Sequence, residues 1–155
     1  MSSIHHPDPG PRIPDPMRRR RVLVLCTGNS CRSQMAEGWV NHLLGERWEA
    51  ASAGTEPAIA VHPLAVRVMA EVGVDIAGVV PKSVDALLDQ PWDLVITVCD
   101  SARESCPVFP SPVEQIHISF PDPARATGSE EERLAVFRAV RDDIRERLLG
   151  ALRTR

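Results

Sequence analysis

The chain has 155 residues, 43% of them apolar, with a formal charge of -3. That length suits one domain with a sizeable core, and no apolar run reaches the roughly 18 residues of a membrane span. The slightly acidic balance, with a pI near 5.9, speaks against a nucleic-acid partner.

Residues 1–16 hold Pro7, Pro9, Pro11, Pro14 and Pro16 and almost no large apolar side chains. Such a segment buries too little surface to offset its ordering entropy. It reads as a disordered tail over 1–20, ahead of a folded domain over 21–155, with Met17 as an alternative start. The basic run at 18–21 reads as a solvated lead-in to the first strand. No apolar stretch of a secretory leader follows it, so a cytoplasmic location is expected. In that compartment four cysteines suggest reactive thiols or a metal site more than structural disulfides.

The elements then alternate. Residues 22–25 (VLVL) are a short continuous apolar run, the mark of a buried parallel strand. Residues 33–44 set Met35, Trp39 and Leu43 at helical spacing, and a second strand ends near 52–54. A helix is expected over 62–72, with Pro63 in its first turn and Gly73 as its stop. A short helix follows at 83–88, then strands at 93–99 and 114–120. The last helix opens at Ser129 with Glu132 three residues on, a capping-box spacing. It carries Leu134, Phe137, Val140, Ile144 and Leu148 on one stripe. Four strands alternating with helices predict an α/β domain: a four-stranded parallel sheet with helices on both faces.

In such folds ligands bind beyond the carboxyl ends of strands. Cys26, Cys99 and Asp122 all fall there. Cys26 to Ser33 reads CTGNSCRS. A loop from strand to helix aims successive N–H groups inward as an anion cradle, and Gly28 and Asn29 tolerate the positive φ angles such a loop uses. Arg32 adds a planar cation for two oxygens of a tetrahedral oxyanion. Thr27, Gly28, Asn29, Ser30, Cys31, Arg32 and Ser33 are the expected oxyanion-binding residues. Cys26 lies at the bottom, where a helix N-terminus and an arginine favour the nucleophilic thiolate and Ser33 can donate a hydrogen bond. A Walker-type phosphate loop would need a lysine here and none is present. Zinc would need four ligands, for which the spacings Cys26 to Cys31 and Cys99 to Cys106 are poor.

The stretch VLCTGNSCRS resembles the signature loop shared by low-molecular-weight protein tyrosine phosphatases and thioredoxin-coupled arsenate reductases, and the likeness runs from about residue 21 to 145. The resemblance implies a low-molecular-weight phosphatase-like fold and makes Asp122, in the FPDP stretch at 120–123, the general acid; the bland alternative for Asp122-Pro123 is a turn. Cys99 and Cys106 resemble the two further thiols of the reductase branch, which supply electrons by successive exchange. A phosphatase needs neither, and the tyrosines often found beside its acid loop have no counterpart in a chain without tyrosine.

The resemblance therefore implies arsenate reduction for arsenic detoxification. Cys26 attacks arsenate, Cys99 attacks Cys26 to release arsenite, and Cys106 attacks Cys99; thioredoxin then reduces the Cys99–Cys106 disulfide. Residues 100–106 (DSARESC), mostly small or polar, are expected to rearrange for that transfer. Arsenate, with phosphate or sulfate as analogues, and thioredoxin are the expected partners of a monomer with no bound cofactor. The runner-up is a phosphomonoester phosphatase using Cys26, Arg32 and Asp122; a non-catalytic oxyanion-binding module would predict a broken nucleophile or acid. Cys31 is expected to be a cradle residue prone to oxidation. Asn29, Glu37 and Ser52 match three ligands of a potassium ion bound by some family members. His42, His62 and His117 read as structural, and Trp39, Trp48 and Trp92 as packing residues.

Overall fold

The computed structural model describes residues 18–155. The expected tail and the alternative start at Met17 lie outside these residues; Arg20, counted with the tail, is the first residue of a strand. The strands are β1 (Arg20–Cys26), β2 (Trp48–Gly54), β3 (Leu94–Thr97) and β4 (Glu114–His117), and the helices are α1 (Arg32–Leu43), α2 (Pro63–Glu71), α3 (Asp100–Glu104) and α4 (Glu130–Arg153). The sheet is parallel with order β2-β1-β3-β4. Leu23, Val24 and Leu25 are all fully buried, as are Leu94, Val95 and Ile96. Successive strand residues point to opposite faces, so both faces of the central strands are covered, as the apolar runs predict. Each such leucine contributes about 2 kcal/mol by burial.

Local signals place the helix ends. Ser129 and Glu132 form the expected capping box at the start of α4. His62 caps α2 by accepting from the Leu64 amide at 3.0 Å through Nδ1. Burial, helped by the charge of Arg133, lowers the His62 pKa and keeps that acceptor neutral. Gly73, at φ 81, follows α2 in a conformation that favours glycine. The expected short helix at 83–88 is a 3-10 turn over Val84–Leu87.

Two elements go beyond the sequence reading, and one expectation changes. Residues 100–104 are helical, although their small polar side chains carry no amphipathic pattern. A second 3-10 turn at Pro123–Arg125 was not anticipated. The basic run is more than a solvated lead-in: Arg20 stacks over Trp48 at 4.6 Å and Arg21 over Trp92 at 4.3 Å. Arg18 pairs with Asp93 and Arg21 with Glu49, both at 3.1 Å. Trp39 is a packing residue as expected, its indole N–H donating to the Arg141 carbonyl.

Glu71 ties α2 to α4. Arg138 grips its carboxylate with bonds of 2.9 and 2.8 Å, and Arg141 adds one of 3.0 Å. The Arg138 hydrogen bond is the largest cause of a pKa lowered to about 2. A carboxylate depressed in the folded state adds stability above its unfolded pKa, and that stability is lost as pH falls through the folded one. Glu71→Gln is therefore expected to lower the melting temperature at pH 7 and to flatten its decline between about pH 4.5 and pH 2. An unchanged melting temperature across that range would count against the ion pair.

Candidate active site

The cradle is the turn between β1 and α1. Asn29 takes the left-handed conformation at φ 52 while Gly28 does not, so of the two permissive residues only Asn29 uses its freedom. That turn aims the Asn29 amide at Cys26 Sγ, 3.1 Å away. The Asn29 side chain donates to Ser33 Oγ at 2.8 Å, leaving the Ser33 hydroxyl hydrogen for Cys26 Sγ, also at 2.8 Å. Two hydrogen-bond donors thus point at one sulfur, and only 2% of the residue is exposed.

Sequence reading missed Gly54, which makes this turn possible. A Cβ there would lie 2.5 Å from the Thr27 carbonyl oxygen and 3.1 Å from the Asn29 nitrogen. The end of β2 thus presses directly on the cradle backbone. A glycine closing a buried strand is the available signal, but its partner lies in another strand's loop.

Arg32 opens α1 and reaches across the sheet edge. It donates to the Phe120 carbonyl at 3.2 Å, and its guanidinium lies 3.8 Å from Asp122 Oδ2. Asp122 Oδ1 accepts from the Ala124 amide at 3.0 Å, so the acidic residue also caps the 3-10 turn after it. Thr27, Arg32, Cys99, Asp122 and Arg125 share the lining of an open cavity of about 610 Å³. The fold brings cation, carboxyl group and second thiol together over the cradle.

The remaining thiols differ in surroundings. Cys99 is buried at the start of α3, where Sγ accepts from the Ala102 amide at 3.4 Å. It lies 3.4 Å from the hydroxyl of Thr27, the residue after Cys26. Cys106 is half-buried, its thiol 3.7 Å from Gln115 Oε1, and burial raises its pKa. Burial pushes the Cys31 thiol up to about 12. Oxidation follows thiolate character and exposure, so the structure argues against the expected vulnerability of Cys31.

Asn29, Glu37 and Ser52 do meet, in a chain that leaves little for an ion. Asn29 donates to Ser52 Oγ at 2.9 Å, and Ser52 donates to Glu37 Oε1 at 2.8 Å. Asn29 Oδ1 is spent on the Gln34 side chain and the Lys82 amide, both at 3.0 Å. The Lys82 ammonium stands 4.0 Å from Glu37 Oε1. Gln34 Oε1 is buried and unpartnered, but one unspent oxygen near an ammonium does not make a cation cage, so these residues do not fit potassium. No group of three or more His, Cys, Asp or Glu among the described residues has a metal-binding arrangement.

A cysteine beneath a cradle of amides, an arginine and a carboxyl group define an enzyme class that attacks tetrahedral oxyanions. The model of the low molecular weight phosphotyrosine protein phosphatase family matches residues 21–154, and the chain belongs to that family. Within it, the chain is 49% identical over 132 residues to the arsenate reductase of Halalkalibacterium halodurans, covering 85% of this chain and 94% of that one. A solved arsenate reductase in the reduced state matches with a TM-score of 0.67 at 33% identity, over 87% of this chain and 98% of that one. The thioredoxin-dependent arsenate reductase of Corynebacterium glutamicum matches with a TM-score of 0.61 at 26% identity, over 88% of this chain and 64% of that one. The four-stranded α/β fold expected from the sequence is borne out.

Proposed function

We propose that the protein is an arsenate reductase that converts arsenate to arsenite through Cys26, Cys99 and Cys106, with thioredoxin returning the electrons. The observation that carries this reading is the Cys99 thiol at the cradle's mouth, 3.4 Å from the Thr27 hydroxyl; phosphate-ester hydrolysis gives it no task. Arsenate sits in the loop of residues 27–33 with Arg32 on two of its oxygens. The Cys26 thiolate bonds to arsenic, and Asp122 gives its proton to the departing oxygen, which leaves as water. Cys99 then attacks Cys26 Sγ, the sulfur–arsenic electron pair stays on arsenic, and arsenite departs. Cys106 attacks Cys99, frees the Cys26 thiolate, and leaves a Cys99–Cys106 disulfide for thioredoxin.

All of these residues lie on one chain, which supports a monomer as the working unit, in the cytoplasm where a reducing system maintains thiols. No helix among the described residues is long and apolar enough to cross a membrane. Phosphate and sulfate share the tetrahedral shape of arsenate and serve as competing anions. Lys82 supplies the positive charge beside Glu37, so equal melting temperatures are expected in potassium and sodium chloride at matched ionic strength; a rise specific to potassium would contradict this.

The functional reading is tested by following NADPH oxidation with arsenate, thioredoxin and thioredoxin reductase. Arsenate-dependent turnover is expected. Its absence, together with robust hydrolysis of an aryl phosphate, would favour the family's phosphatase activity instead.

A further inference from the structure

For the relay to finish, Cys106 has to reach Cys99 across α3. α3 (Asp100–Glu104) and its closing residue Ser105 stand between Cys99 and Cys106, and a disulfide needs the two Cα atoms within about 7 Å. In the dithiol form the two free thiols face different partners, Cys99 the Thr27 hydroxyl and Cys106 the Gln115 side chain. Whatever holds α3 in place therefore also sets how readily the pair forms.

Side chains of β4 hold this segment at both ends. His117 ends β4 and pairs in register with Thr97 at the end of β3. Its imidazole is only 18% exposed, and both ring nitrogens are occupied. Nδ1 lies 2.7 Å from Thr97 Oγ1, and Nε2 lies 2.9 Å from Oδ1 of Asp100, the first residue of α3. With the carboxylate accepting from Nε2–H, the neutral ring takes the Thr97 hydroxyl hydrogen on Nδ1. Gln115, two residues earlier and so on the same face of the strand, accepts from the Cys106 thiol at 3.7 Å. Neither His117 nor Asp100 has a task in the chemistry above.

We propose that His117 is a positioning residue for the relay: with Asp100 it forms a clip that holds residues 99–106 in their helical dithiol form. The proposal rests on the three-cysteine reading. The clip lies on the dithiol side of the equilibrium, so its loss favours the Cys99–Cys106 disulfide. Until the clip opens, Cys106 is kept from Cys99, and Cys99 stays beside the cradle, where Cys26 is its partner. The His117 hydrogen bond is also the largest cause holding the Asp100 carboxyl below its ordinary range, with Arg103 adding to it. Burial at the other end keeps the Cys106 thiol protonated, a poor nucleophile while it is parked.

The test measures the dithiol–disulfide equilibrium of the full chain in glutathione buffers, in a Cys26→Ser/Cys31→Ser background, by thiol alkylation and intact mass. Two protein thiols and one glutathione disulfide give the protein disulfide and two glutathiones, so the buffer ratio at half-oxidation reads the equilibrium directly. Asp100→Ala and His117→Ala are each expected to shift that ratio about three- to tenfold towards the disulfide. The double variant should shift it no further than either single one. Asp100→Asn, which keeps an acceptor oxygen, should recover most of the difference. A purely structural role would lower the melting temperature and leave the ratio unmoved. Asp100 is exposed, so its variants remain informative if His117→Ala folds poorly. An unchanged ratio in Asp100→Ala, or single shifts that multiply in the double variant, would overturn the clip alone. Failure of the parent protein to form any Cys99–Cys106 disulfide would overturn the relay reading and the clip with it.

Discussion

Replacing Cys26 with serine is expected to reduce arsenate turnover to the uncatalysed background, a loss of at least about 10⁴-fold. The reason lies in the sulfur's surroundings. Cys26 Sγ receives the Asn29 amide at 3.1 Å and faces Ser33 Oγ at 2.8 Å, contacts that fix the sulfur at the bottom of the cradle. A serine hydroxyl in the same place stays protonated at neutral pH and forms no disulfide with Cys99. The two side chains are close in size, and the cradle's amides and Arg32 are untouched. Binding of inorganic phosphate, followed by titration calorimetry, should therefore survive within a few-fold. Catalytic turnover in the serine variant, under conditions where the parent enzyme cycles, would remove Cys26 from the role of nucleophile.

The second large effect is expected at a residue that touches no substrate. Gly54→Ala places a methyl group 2.5 Å from the Thr27 carbonyl oxygen and 3.1 Å from the Asn29 nitrogen. Real Cβ atoms do not approach backbone so closely, so the cradle has to move by several tenths of an ångström or more. A displacement of that order at a reacting centre costs roughly 10²-fold. We expect kcat/KM to fall by about that factor, with an unchanged circular dichroism spectrum and a modest loss of melting temperature. Activity within threefold of the parent would show that the cradle tolerates the shift, and that its present geometry is not the one catalysis depends on.

The contrast between Cys26 and Gly54 shows what the sequence made legible. VLVLCTGNSCRS carries a strand signal, a turn and its cysteine within 12 consecutive residues, and the strand, the turn and the buried thiol lie where expected. The caps at Ser129 and at His62-Pro63 were readable for the same reason, since capping acts over two or three residues. Gly54 was opaque because it meets Thr27 only after the two strands pair. Lys82 was opaque in the same way: nothing near it in the chain announces that its ammonium and its amide reach the groups set aside for potassium. α3 went unread for another reason. Five residues give no full amphipathic period, and the helix rests on Cys99 as its cap and His117 as its anchor. Strand ends were read too long at β3 and β4 because an apolar run continues past the last paired residue: Val98, fully buried, prolongs the pattern of β3 beyond Thr97.

Asp122 and Arg32 were found by motif, yet their mutual distance of 3.8 Å is information only the fold supplies. In the proposed relay it places the proton donor beside the cation that holds the oxyanion. The electrostatics of reduction and of phosphate-ester hydrolysis are the same at this point. What separates the two chemistries is the pair of thiols on either side of α3.

A single-turnover experiment on Cys106→Ser tests the three-thiol relay most directly. The reduced variant is mixed with excess arsenate, quenched with an alkylating agent, and digested for disulfide mapping by mass spectrometry. One equivalent of arsenite per protein and a Cys26–Cys99 disulfide are the expected products. Multiple turnovers driven by thioredoxin in this variant, or arsenite released without a Cys26–Cys99 bond, would contradict the relay.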